Sequence, residues 1–92
     1  MSNQITMKHL EGLVNRLNRL TGNNEKPYST VNGKYVPNVG SYLLDGAYGG
    51  WKLAQMVEGG GERNITEGYQ TKRDCYNMIV AYIKGIEDTK AA

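Results

Sequence analysis

The sequence predicts an α+β domain in which two amphipathic helices pack on a small antiparallel β-sheet. Three observations carry this. Apolar residues recur at helical spacing near both ends of the chain. Between them lie apolar runs bounded by glycines, of strand length rather than helix length. Asn-Gly and Gly-Gly pairs mark tight reversals in the same region. The expected order is helix, strand, strand, helix, with room for an extra short hairpin ahead of the first strand. At 92 residues the chain is expected to be a single domain.

The first helix is expected over residues 6–21. Leu10, Leu13, Val14, Leu17 and Leu20 fall on one face. Thr6 supplies an N-cap, Ile5 and Leu10 a hydrophobic staple, and Gly22-Asn23 a stop. Gly12 weakens the helix by about 1 kcal/mol relative to Ala. Lys8, Glu11, Asn15, Arg16, Asn18 and Arg19 fall on the opposite, polar face.

Residues 23–37 are rich in turn formers: Pro27, Asn32-Gly33 and Pro37. Asn32-Gly33 makes either a short hairpin or an irregular loop. Residues 41–44 read as a strand and residues 51–57 as its antiparallel partner, reversing within 47–50. The rival turn is Asp45-Gly46, and the choice decides which rings point outward. Leu53, Met56 and Val57 also fit a helix, but glycines on both sides of this short run favour a strand. Gly59-Gly60-Gly61 is then a flexible or sharply turned connection.

The last helix is expected over residues 72–86. Thr71 and Asp74 resemble a capping box, with Asp in place of the usual Glu or Gln. Cys75, Ile79, Tyr82, Ile83 and Ile86 line one face, with Tyr76 and Met78 at its edges. Gly85 is expected to fray the end, leaving residues 87–92 as a loose tail.

Composition narrows the function. Hydrophobic residues at 39% and charged residues at 22% mark a globular chain rather than a disordered one. A chain this short buries only about 60% of its unfolded surface, so a homo-oligomer would help its core. A net charge of +2 is too weak to argue for nucleic acid. Cys75 is alone, which excludes an internal disulfide or a cysteine-based metal site and suits a reducing compartment. No segment approaches the length of a membrane span, and the N-terminal residues lack the apolar run of a signal peptide. The expected location is the cytoplasm.

The candidate site lies in residues 40–61, which hold the one Trp, two of the seven Tyr and seven of the twelve Gly. Glycine at this density needs a cause: either the backbone turns tightly or something approaches it closely. Asp45, Tyr48, Gly49, Gly50 and Trp51 form the expected binding surface, with Arg63, Lys72 and Arg73 as a basic rim. Tyr42, Tyr48 and Trp51 offer a stacking platform, worth roughly 1–3 kcal/mol per stacked base. Their bland alternative is a set of cross-strand pairs that stabilise the sheet. Asp45 either accepts a hydrogen bond from a ligand or bonds its own turn. The glycine pairs either cradle a phosphate or simply turn the chain, and neither glycine-rich nucleotide motif is present. Lys72 and Arg73 sit where the helix dipole disfavours cations, which hints at an anionic partner unless they are merely solvated beside Asp74 and Glu67.

The catalytic inventory is thin. His9 is the single histidine and falls in the first helical turn, while Cys75 sits on an apolar face as a small hydrophobe. There is no recognisable carboxylate pair and no nucleophile elbow, and a metal would need three or four ligands. Neither catalysis, a cofactor nor a metal is expected.

The run Leu44-Asp45-Gly46-Ala47-Tyr48-Gly49-Gly50, then Lys72-Arg73-Asp74-Cys75-Tyr76 and Tyr82-Ile83-Lys84-Gly85-Ile86-Glu87, resembles a group of small proteins of tailed bacteriophages and prophages. The similarity covers residues 40–87. Asp74 stands where that group is expected to carry Glu. The resemblance implies a phage origin and a host-cytoplasm setting, and it carries over no catalytic residue. The expected function is that of a non-catalytic accessory protein that binds, and antagonises, a host protein or defence system. One alternative is sequestration of a nucleotide-like signalling molecule. Another is weak nucleic-acid binding through Lys8, Arg16 and Arg19.

Overall fold

The computed structural model describes residues 4–91. Its element order is α1 (Met7–Thr21), β1 (Tyr28–Val31), β2 (Lys34–Pro37), β3 (Tyr42–Ala47), β4 (Gly50–Met56), β5 (Glu62–Asn64) and α2 (Lys72–Ala91), with a short 3₁₀ turn at Glu58–Gly60. This is the expected α+β arrangement, extra hairpin included, plus one strand that the sequence did not announce. β1 and β2 pair as a separate two-stranded ribbon, and β3-β4-β5 form a three-stranded antiparallel sheet.

α1 starts at Thr6, whose hydroxyl accepts from the His9 N–H. The His9 imidazole in turn accepts from the Thr6 N–H at 3.1 Å, so histidine takes the place of the acid in a capping box. Gly22 ends the helix at φ +75°, the left-handed conformation that glycine adopts most cheaply. α2 starts on Thr71, which accepts from the Asp74 N–H at 3.1 Å.

The sequence predicts that α2 stops at residue 86, with a loose tail beyond. The helix instead runs on to Ala91. Gly85 faces open space and costs the helix propensity without ending it. Arg16 pairs with Glu87 at 2.9 Å, and the Lys90 ammonium donates to the Leu20 carbonyl, so the last turns are held against α1. At the other end His9 meets the edge of Tyr76. The two helices therefore lie side by side and run in the same direction.

Tyr42, Leu44, Gly46, Trp51, Leu53 and Gln55 share the helix-facing side of the sheet, because residues opposed across an antiparallel pair lie on one face. The core forms there from Leu10, Val14 and Leu17 of α1, Tyr42 and Leu53 of the sheet, and Cys75, Ile79 and Ile83 of α2. Burial raises the Cys75 thiol pKa above its ordinary value. Within the core the Tyr42 and Tyr82 hydroxyls lie 3.1 Å apart.

Two buried polar side chains join elements. The Asn18 carboxamide accepts from the Tyr42 N–H at 2.7 Å and donates to its carbonyl at 3.0 Å, imitating a neighbouring strand. The Ser41 hydroxyl donates to the Asn24 carbonyl at 2.7 Å. Among the described residues no buried side-chain nitrogen or oxygen lacks a partner. Among the described residues no helix is long and apolar enough to cross a membrane.

Candidate functional site

The β3–β4 hairpin decides the geometry of the site. Ala47 pairs with Gly50, so the turn is Tyr48-Gly49 and the rival turn at Asp45-Gly46 is not used. Both turn residues are left-handed, Tyr48 at φ +54° and Gly49 at φ +73°, as a two-residue type I′ turn requires. Asn32-Gly33 repeats the device between β1 and β2, with φ of +52° and +77°. There the residues are the pair best suited to it. At Tyr48 a bulky residue occupies a conformation that costs an L-amino acid about 1–2 kcal/mol, and its side chain is 96% exposed.

The ring of Tyr48 is not left without contacts. Tyr69, in the segment that leads into α2, meets it edge to face with centroids 5.6 Å apart. The Tyr69 hydroxyl donates to Asp45 at 3.3 Å, and Lys52 approaches the same carboxylate oxygen at 3.6 Å. The Lys52 ammonium also lies 4.6 Å from the centre of the Tyr69 ring. Asp45 and Lys52 are opposed across the hairpin, an arrangement that suits opposite charges. Enclosure pulls the Lys52 pKa down, but the Tyr69 phenol and the Asp45 carboxylate outweigh it and hold the ammonium above its ordinary value.

The glycines of this region have two distinct causes. Gly49 serves the turn: a Cβ there would meet nothing, but its φ is positive. Gly50 serves close approach: a Cβ there would come within 2.9 Å of the Tyr69 Cβ and 3.0 Å of the Tyr69 carbonyl carbon. This closeness lets Gln70 pair with Trp51 through two backbone bonds of 2.8 Å, which fixes Tyr69 beside the hairpin.

The structure thus brings together Asp45, Tyr48, Gly49 and Gly50, and adds Lys52 and Tyr69. It does not bring Trp51 to them. Trp51 lies on the helix side of the sheet, half-buried against the core, with its ring across Gly46. Tyr42 is buried and bonded to Tyr82, so the three-ring platform is not assembled. Arg63 is opposite Gln55, to which it donates at 2.8 Å, towards the far end of β4. Lys72 and Arg73 begin α2 just after Gln70, near the hairpin turn, and are exposed. The basic rim is therefore divided. The Gly59–Gly61 segment is separated from Gly49 by the length of β4, roughly 20 Å, so the two glycine groups do not share a cradle.

Lys52 and Tyr69 were missed in the sequence. Lys52 was recoverable, since a turn at Tyr48-Gly49 places it opposite Asp45. Tyr69 carried no local signal; its position depends on the Gln70–Trp51 bridge. A second exposed aromatic surface also went unread: Tyr28 and Tyr35 on the β1–β2 ribbon meet edge to face at 6.5 Å, with Tyr35 81% exposed.

Chemically, the cluster offers phenol edges, a hydrogen-bonded carboxylate and an ammonium already matched to it. Among the described residues no three His, Cys, Asp or Glu side chains converge as metal ligands. Comparison with protein-family models, with curated proteins and with solved structures finds no match to this chain.

Proposed function

We propose that this chain is a small non-catalytic binding protein that grips a partner protein with the tip of its β3–β4 hairpin. Tyr48 is the anchor, and Tyr69, itself held by Asp45 and Lys52, backs its ring. The phage resemblance extends the proposal: the partner is a host protein in the bacterial cytoplasm, and binding blocks its action.

One observation carries the reading. Tyr48 is strained and almost wholly exposed at a position where Asn or Gly would be free of strain. Such strain is costly to keep and gathers where it serves a purpose. An exposed tyrosine also brings large contact area with few rotatable bonds, which suits an interface anchor. Its support is preformed, because Tyr69 is bonded to Asp45 and its backbone is held by the Gln70 bridge. A preformed anchor loses little entropy on binding.

The test is a paired capture from bacterial lysate with the tagged wild-type protein and Tyr48→Asn. The reading expects a protein retained by the wild type and lost with Tyr48→Asn, while the variant stays folded. Equal retention by both, or retention by neither, contradicts it.

A further inference from the structure

The three-stranded sheet has two outer edges, and they are built differently. β5 is only Glu62–Asn64, exposed at every residue and bearing two charged side chains, which is how proteins commonly blunt a free edge. β3 is six residues long and carries Tyr42, Leu43 and Leu44 in succession. Trp51 bonds Gln70 on the far side of β4, so by antiparallel alternation Gly50, Lys52 and Ala54 are the β4 residues that bond β3. They bond Ala47, Asp45 and Leu43, which turns the backbone groups of Tyr42, Leu44 and Gly46 outward. At Tyr42 both groups are taken by Asn18. At Leu44 and Gly46 neither the N–H nor the C=O has a partner among the described residues. A cavity of about 190 Å³ lies along this edge, lined by Glu11, Val14 and Asn15 of α1, Glu25 and Pro27 of the next loop, and Leu44 itself.

We propose that the Leu44–Gly46 edge is a strand-addition site, which takes an extended, basic segment of a partner protein as a fourth strand of the sheet. The proposal rests on the reading of this chain as a protein-binding module, but it uses different atoms from the Tyr48 tip. The free groups lie on alternate residues, the spacing at which another extended chain presents its own. Basic character follows from the walls. Among the described residues Glu11 has no ion pair, and Glu25 has one exposed contact of 3.5 Å with Arg19. A second copy of the chain fits poorly, because a two-fold β3–β3 pairing would set the Glu11 end of one copy against the Glu25 end of the other, acid against acid. It would also find only two open residues on each side.

The experiment uses the isotope-labelled protein and three capped six-residue peptides. One alternates lysine with valine, one alternates glutamate with valine, and one is the lysine peptide with alternate amides N-methylated. At roughly millimolar peptide, the lysine peptide is expected to move the Leu44 and Gly46 amide signals and slow their hydrogen exchange at least about tenfold. The glutamate peptide should leave both amides unchanged. The N-methylated peptide keeps the charge but cannot complete the ladder, so it should fail too. Equal response to the lysine peptide and its N-methylated form would overturn strand addition in favour of charge alone. Absence of any response at Leu44 and Gly46 would overturn it as well. So would protection of both amides without peptide that rises with protein concentration, since a second copy would then fill the edge. Tyr48→Asn separates the two proposals: peptide pairing persists in it even where partner capture is lost.

Discussion

At the scale of single residues, Tyr48 sets local stability against use. A type I′ turn wants Asn-Gly, and the chain supplies that pair at Asn32-Gly33 but not at Tyr48-Gly49. Tyr48→Asn removes the left-handed strain and gives up one exposed edge-to-face contact with Tyr69. Strain relief is the larger of the two, so the variant should be more stable by about 0.5–1 kcal/mol, read from urea denaturation. A loss of stability would show that the ring contact outweighs the strain. Gly46 makes the opposite case. A Cβ there would lie 2.4 Å from the Trp51 ring, and that ring is wedged against the core. Gly46→Ala should cost about 1–3 kcal/mol and shift Trp51 fluorescence; unchanged emission and stability would show that the ring moves freely aside.

Among the elements, the ends of the chain were legible and the joints were not. α1 was readable because its apolar spacing and caps are local. The β3–β4 turn was harder, since Asp45-Gly46 is the stronger dipeptide signal for a type I′ turn. Burial decided against it: the observed register sets Leu44 opposite Leu53 beneath the helices and gives a six-residue ladder. β5 is Glu-Arg-Asn and has no apolar alternation to reveal it. The extension of α2 past Gly85 depends on Glu87 and Lys90 reaching α1, contacts between residues about 70 positions apart. Of the candidate site, Asp45, Tyr48, Gly49 and Gly50 were legible because they adjoin one turn, while Trp51 was misplaced because its face depends on register. Asn18 is the clearest omission. Its polarity placed it on the solvent face, yet it is fully buried and closes the outer edge of β3 at Tyr42. Asn18→Ala leaves a buried N–H and C=O without partners, and should cost about 2–4 kcal/mol in chemical denaturation. A cost below 1 kcal/mol would mean that water replaces the amide.

For the molecule as a whole, the core carries an alkaline weakness. Burial, and then the hydroxyl of Tyr82, push the Tyr42 phenol from 10.0 to about 12. The folded state therefore keeps a proton that the unfolded state releases first. The stability tied to Tyr42 is fully present below pH 10 and is lost as pH rises towards 12, at up to about 1.4 kcal/mol per pH unit. The raised pKa values of Cys75 and Lys52 act in the same direction. Tyr42→Phe should flatten the decline measured by denaturation between pH 9 and 11.5; an unchanged slope would assign the alkaline loss to other groups. The two proposed contacts adjoin on the same hairpin, since the open edge at Leu44 and Gly46 leads directly into Tyr48. One part of the molecule can thus offer both a ring and a row of backbone groups, with the helices bracing the opposite face of the sheet. The most direct measurement of this account is made on a single variant, Tyr48→Asn, by recording its unfolding free energy and its capture of partner side by side. Opposite changes are expected, a more stable protein that no longer holds its partner. A variant less stable than wild type that captures the same partner equally well would contradict it.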